Sequence, residues 1–166
     1  MKRCIALLLA TLVISCGGGG DGGSAGGGSS GAVGTPVGGG GDDRAIAAPG
    51  ARIEESNSAV ILSGAWTSAD PRLEWSGGAA VQSDVVGATV SFTFKGTSVR
   101  WLGSRGRGMG TARVTVDGQS ARQVDLFMAP NNVRAAVLTI NDLSDATHTL
   151  TIEVVSGLVV VDAFDV

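Results

Sequence analysis

The chain has 166 residues, a formal net charge of −3 and only 16% charged residues, with no cluster of Lys and Arg large enough to neutralise a run of phosphates. Nucleic acid is therefore not an expected partner. Hydrophobic residues make up 43% of the chain, enough for a core, and both cysteines, Cys4 and Cys16, fall near the N-terminus, so the remainder has no disulfide to form.

Lys2 and Arg3 precede an apolar run from Ile5 to Ile14. At roughly ten residues this run is too short to span a bilayer and has the length of a secretory h-region. The run ends in Val13-Ile14-Ser15-Cys16, which resembles the lipobox of bacterial lipoproteins. The bulky Ile14 is a mild departure from that pattern. The resemblance implies a signal peptide over 1–15, removed so that Cys16 becomes a lipidated N-terminus. Two or more acyl chains would hold the protein stably at a membrane. Gly17 in place of Asp implies sorting to an outer membrane.

Residues 16–50 form the lipidated cysteine and a Gly-rich linker, expected to be disordered because such a stretch has high backbone entropy and little to bury. A reach of ~30 Å follows for about 33 such residues. A phosphate-binding loop would need a strand before it and a helix after it, and the sequence offers neither.

From Ala51 to Val166 the hydrophobic pattern alternates with period two and shows no helical periodicity. Ala59–Leu62 and Leu73–Val81 read as short, weak strands. In Ala88–Phe94, Ala88, Val90, Phe92 and Phe94 share one face, and Thr89, Ser91 and Thr93 the other. Ser98–Leu102 and Thr111–Val116 follow. Asp117-Gly118 is a two-residue hairpin signal, with Val124–Met128 expected to pair back from it. Arg134–Ile140, Thr147–Val154 and Leu158–Val166 complete the set, with His148, Leu150, Ile152 and Val154 directed inward. Many short strands separated by turn signals predict an all-β antiparallel sandwich or jelly roll.

Several segments carry a more specific likeness: Ser63-Gly64-Ala65-Trp66, Val90 to Gly103, Gly110 to Gly118, Thr147 to Ile152, and Val161-Asp162-Ala163-Phe164-Asp165-Val166. In order and spacing they resemble the galactose-binding-like β-sandwich domains, many of which are carbohydrate-binding modules. The resemblance covers nearly all of residues 51–166. It implies a surface module binding carbohydrate or an envelope polymer, without catalysis. The alternative is a structural or protein-interaction lipoprotein of the cell envelope with no small-molecule ligand.

The ligand candidates follow from chemistry. The loop Gly103–Gly110 is glycine-rich and holds Arg105 and Arg107, whose forked donors suit hydroxyls and carboxylates. Trp75 and Trp101 could each supply an apolar wall for a sugar ring, or could pack in the core. Asp162 falls on the alternation face of Val160 and Phe164, where a carboxylate needs a partner. It pairs with a hydrogen-bond donor or an arginine. Otherwise, as the resemblance implies, it holds a structural calcium with Glu54 or Glu55, which are adjacent on the first strand, so that only one can face inward. No other cofactor is expected. His148 is the single histidine, no Ser sits in a nucleophile elbow, and the chain is expected not to be an enzyme. The oligomeric state is left open.

Overall fold

The computed structural model describes residues 46–166. The expected signal peptide, Cys16 and most of the linker lie outside them. Eleven strands follow in order: β1 Arg52–Glu54, β2 Val60–Ser63, β3 Thr67–Ser68, β4 Val81–Ser83, β5 Thr89–Gly96, β6 Val99–Arg105, β7 Thr111–Val116, β8 Gln119–Asp125, β9 Asn132–Ile140, β10 Ala146–Ser156 and β11 Val159–Asp165. They form two antiparallel sheets. One runs β2-β5-β10-β7-β8, and the other β3-β4-β11-β6-β9, with β1 paired to β11 beyond β4. The fold is the antiparallel β-sandwich that the alternation predicts.

The core lies between the sheets. Val90, Phe92 and Phe94 of β5 face Leu150 and Ile152 of β10, and Trp101 of β6 and Phe164 of β11 meet them from the other layer. Phe92 stacks on Phe164 with ring centroids 4.3 Å apart and on Phe94 at 5.5 Å. Offset aromatic stacking of this kind adds to simple area burial.

Two local readings need correction. The strand after Asp117-Gly118 is Gln119–Asp125, not Val124–Met128. Both turn residues have positive φ, 52° and 70°, so the hairpin closes in two residues and Val116 pairs directly with Gln119. Gln119 to Gln123 is exposed and almost wholly polar, as suits a sheet edge, and so carries no apolar alternation. Leu73–Val81 is not one strand. It contains a 3-10 turn at Ser76–Gly78, and β4 begins only at Val81. Thr93 lies on the outer face of β5 as expected, yet it is buried.

A bulge changes the reading of Asp162. β11 pairs Val161 with Gly103 and then Ala163 with Leu102, leaving Asp162 as the extra residue. The bulge shifts the phase of alternation. Val159, Val161 and Phe164 therefore face the core, whereas Val160 joins a second cluster outside the sheet with Ala69, Trp75 and Ala80. Simple alternation puts Asp162 and Phe164 on one face. The extra residue separates them.

Candidate functional site

The outer face of the β4-β11-β6-β9 sheet is partly covered by the Asp70–Trp75 loop, by the β6–β7 loop and by the loop entering β9. Between them lies a recess of about 340 Å³. Gln82, Val160 and Val133 lie on its strands. Leu73 and Trp75 contribute from one side, and Ser104, Gly106, Met109 and Asn131 from the other. It is mostly apolar with a few polar groups, the usual make-up of a small-ligand site.

The Asp70 loop is held by its own bonds. The Asp70 carboxylate accepts from the Arg72 guanidinium at 2.8 and 3.0 Å and from the Arg72 backbone N–H at 3.0 Å. The Arg72 hydrogen bonds hold the Asp70 carboxyl at a pKa of about 2. The Trp75 indole N–H donates to the Asp70 carbonyl at 2.8 Å, so the ring is fixed by its polar edge. Trp75 is 5% exposed and presents only a sliver of its surface to the recess.

On the facing side, the Arg107 backbone N–H donates to Oδ1 of Asn131 at 3.0 Å, and the Gly106 N–H donates to the Leu126 carbonyl at 2.9 Å. These bonds clip the β6–β7 loop to the segment 126–131. The Asn131 amide nitrogen remains without a partner among the described residues, as does the side chain of Gln82. The glycines flanking this loop serve packing rather than ligand approach. A Cβ on Gly103 would strike the Val160 carbonyl, and one on Gly110 the Ser156 carbonyl.

The structure brings Trp75 and the Gly103–Gly110 loop together at the recess, but Trp101 and the side chains of Arg105 and Arg107 do not line it. Trp101 is 1% exposed and belongs to the core, so it gives no wall to a ligand. Alternation along β6 directs it inward. The Arg105 guanidinium turns away from the recess and donates to the Asp125 carbonyl at 2.8 Å. Arg107 is exposed at the loop tip and does not line the recess. Gln82, Asn131 and Phe127 escape the sequence reading. Phe127 is 60% exposed, on the segment clipped to this loop: the next residue, Met128, donates its N–H to the Gly106 carbonyl at 3.4 Å. The available signal was an apolar Phe127 followed by Pro130-Asn131-Asn132, which marks a connection rather than a strand.

The acidic candidates meet at the 3-10 turn. Ser76 donates its backbone N–H to Oδ1 of Asp162 at 2.9 Å and its hydroxyl to Oε1 of Glu54 at 2.9 Å. Oε2 of Glu54 and Oδ2 of Asp162 are buried and accept no hydrogen bond. Burial, together with repulsion from Glu54 and Glu55, raises the Asp162 carboxyl to a pKa of about 6 against the pull of the Ser76 N–H. Burial also raises the Glu55 carboxyl. Two orphaned carboxylate oxygens are hard donors of the kind calcium takes. No group of three or more acidic, His or Cys side chains is arranged around an ion among the described residues. Glu54 and Asp162 thus fit such an ion in kind, and the rest of its shell would fall to backbone carbonyls and water.

A Ser-His-Asp line also exists. Nδ1 of His148 is 2.7 Å from Oδ2 of Asp117, and Nε2 is 2.9 Å from the Ser144 carbonyl and 3.4 Å from the Ser144 hydroxyl. A carboxylate and a carbonyl both require a donor, so the partners assign a proton to each nitrogen. In the protonated form that these partners favour, His148 is an imidazolium with no lone pair to take a proton from Ser144. The hydrogen bond from Asp117 raises its pKa, the Ser144 carbonyl adds to this, and burial opposes both.

The chain is similar to parts of several carbohydrate-active proteins. No protein-family model matches the chain. It is 32% identical over 112 residues to an A type blood N-acetyl-alpha-D-galactosamine deacetylase of Flavonifractor plautii, and 34% identical over 114 residues to an A type blood alpha-D-galactosamine galactosaminidase of the same organism. Each match takes in 68% of this chain but only 14% and 10% of those relatives. Among solved structures, the fold is shared with a two-domain esterase active on acetylated mannans (TM-score 0.55, 12% identity, 69% of this chain and 35% of that one). It is also shared with an exo-beta-1,3-galactanase of Phanerochaete chrysosporium bound to beta-1,3-galactotriose (TM-score 0.53, 20% identity, 70% and 29%). A family two carbohydrate esterase of Cellvibrio japonicus gives a TM-score of 0.52 at 15% identity, over 69% and 32%.

The chain is related to carbohydrate-active proteins. The expectation that it stands apart from enzymes is corrected by the same finding. Both sequence relatives are named as enzymes, a deacetylase and a galactosaminidase. A match to a small part of enzymes many times longer need leave no nucleophile-and-base signature within the sandwich itself.

Proposed function

We propose that the sandwich engages glycan through the recess beside Trp75, as the substrate-engaging part of a carbohydrate-processing enzyme system. The observation that carries this is the recess itself, where an apolar wall faces the side-chain amide of Gln82 and the amide nitrogen of Asn131. Apolar wall and amide donors are the two things a pyranose ring requires. Phe127, exposed on the neighbouring segment, offers a further face for stacking. The two sequence relatives act, by name, on A-type blood-group amino sugars, so N-acetylgalactosamine and galactosamine glycans are the first ligands to offer. The test is a glycan array on the full chain, followed by titration of the best binder and an assay of its turnover. Saturable binding that shifts the Met109 and Asn131 amide resonances supports the proposal. Binding that leaves those resonances unmoved places the site elsewhere.

We further propose that Cys16 carries the lipid anchor and holds the chain at an outer membrane, with the linker giving reach. This rests on Val13-Ile14-Ser15-Cys16. Cys16→Ala should move the protein from the membrane to the soluble fraction or leave it as an unprocessed precursor. Equal palmitate incorporation into both forms would count against it. The expected calcium would be held by Glu54 and Asp162, and it would neutralise a buried acidic pair rather than touch the recess.

A second reading, a scaffold that binds protein, draws on one observation. β2 is an edge strand with Ile61 and Leu62 exposed, and Val85 and Val86 project from the turn before β5 beside it. Saturable glycan binding in the recess removes the need for it.

A further inference from the structure

We infer that the structure has a second, separate binding site, specific for a carboxylate-bearing sugar, at the open edge of the sandwich where β8 meets the end of β9. A cavity of about 310 Å³ lies there, and it shares no lining residue with the recess at Trp75. β8 pairs Arg122 with Val114 and Val124 with Ala112, so these residues share one face. Val114, Ala112 and Val124 are buried in the core. Arg122 is thus a charged side chain in the inward-facing row of its strand, exposed where that row reaches the sheet edge.

Arg122 and the loop-tip Arg107 are the described arginines whose side chains meet neither a carboxylate nor a carbonyl, and of the two only Arg122 lines this cavity. Arg52, Arg100, Arg113 and Arg134 each meet a carboxylate across the fold, and Arg72 meets Asp70 within its own loop. Arg105 is taken by a carbonyl. Arg122 makes no ion pair among the described residues, although Asp117 lines the same cavity. Asp117 is already occupied, with Oδ2 on His148 and Oδ1 on the Thr149 N–H at 2.8 Å. Both oxygens of its carboxylate are therefore committed to the fold rather than to Arg122. The charge left without a partner at the cavity is that of Arg122, and an anion is the complementary ligand.

The walls narrow the class. Val116, Ile140 and Leu143 give an apolar side, and Gln119, Ser120 and Asn141 give amides and a hydroxyl. A bare inorganic anion would leave the apolar side unused. A hexuronate would use all three features: its ring face on the valine and leucine side, its hydroxyls on the amides, and its planar carboxylate on the guanidinium fork.

The experiment titrates the full chain with glucuronate and galacturonate, with glucose and galactose as neutral parents, and with acetate. Amide shifts are read at Val116, Gln119 and Asn141. Uronates are expected to bind saturably there, about tenfold or more tighter than the neutral sugars, and to weaken with added salt. Arg122→Gln is expected to remove that advantage without changing the melting temperature. Arg122→Lys, which keeps the charge and loses the fork, is expected to weaken uronate severalfold and decides the matter if Arg122→Gln fails to fold. Equal binding of uronates and neutral parents overturns the proposal, as does uronate affinity unchanged in the Arg122 variants. Acetate binding as tightly as uronate overturns the assignment to a sugar. Uronate shifts confined to Ser104 and Met109 overturn the separate site.

Discussion

Nδ1 of His148 lies 2.7 Å from Oδ2 of Asp117, tying β10 to the turn between β7 and β8. The same imidazole reaches the Ser144 carbonyl with its other nitrogen, so a single cation holds together the turn, the strand and the loop that follows β9. Asp117 in turn accepts from the Thr149 backbone, the residue beside His148. The cross-link stands behind one wall of the Arg122 cavity.

That cross-link predicts a pH dependence of stability. The His148 pKa is raised on folding, chiefly by its bond to Asp117. Its contribution is fully present below the unfolded value of about 6.5 and is lost as pH rises through the raised folded value. The Asp117 pKa is lowered despite burial, by the hydrogen bonds from His148 and Thr149. Its contribution is lost on the acid side. Denaturant midpoints should therefore fall as pH rises above about 6.5, and Asp117→Asn should flatten that fall while costing about 1–2 kcal/mol near pH 6. A wild-type midpoint flat from neutral to alkaline pH, with the same His148 titration in the variant, would show that no cation is held there.

A second prediction concerns the core. Phe92 is fully buried and stacked between Phe94 and Phe164, whereas Thr93 points to the outer face. Phe92→Ala should cost about 3–5 kcal/mol, from lost transfer energy and the cavity left behind. Thr93→Ala should cost about 1 kcal/mol or less, even though Thr93 is covered, because little volume is removed. Equal losses in urea melts would show that the register of β5 is wrong.

Strands with one apolar face were legible in the sequence because their pattern is local. Ala88 to Phe94 and Thr147 to Val154 are such strands, and both sit as their alternation requires. β8 was not legible, because an edge strand needs no apolar face and Gln119 to Gln123 carries none. The bulge at Asp162 was also hidden, since one extra residue reverses the face of everything after it without altering composition. The recess was half visible. Trp75 and the glycine loop were apparent from residue type, but Gln82 and Asn131 are ordinary amides that only the fold brings to the same recess.

Calcium supplies a third prediction. Glu54 and Asp162 each keep a buried oxygen without a donor, and both lean on Ser76. If calcium binds the folded state alone, saturating ion should raise the melting temperature by several degrees, and a chelator should reverse the gain. Asp162→Asn should abolish the response. Magnesium should do less, because it demands a more regular oxygen shell. A melting curve indifferent to calcium and chelator would leave the pair as a purely hydrogen-bonded feature of the 3-10 turn.

The last prediction separates the parts of the glycan recess. Gln82 and Asn131 line it with amide groups, whereas Arg107 stands exposed at the loop tip and Arg105 is bound to the Asp125 carbonyl. Removing an amide that is desolvated with the sugar should leave a sugar hydroxyl unpaired, so Gln82→Ala should weaken binding by about tenfold. Asn131→Gln keeps an amide but moves it, and should both weaken binding and loosen the clip to the Arg107 N–H. Phe127→Ala should weaken binding by about threefold to tenfold if the ring stacks on sugar, with little change in stability because the ring is exposed. Arg105→Ala/Arg107→Ala should cost less than any of these for a neutral sugar, since an exposed guanidinium gives little when screened by water. Calorimetric titration of the array's best neutral glycan into each variant is the measurement, with melting curves as the control. Should the double arginine variant lose binding while Gln82→Ala and Phe127→Ala retain it, the ligand sits on the outside of the β6–β7 loop and the recess is only the packing of its underside.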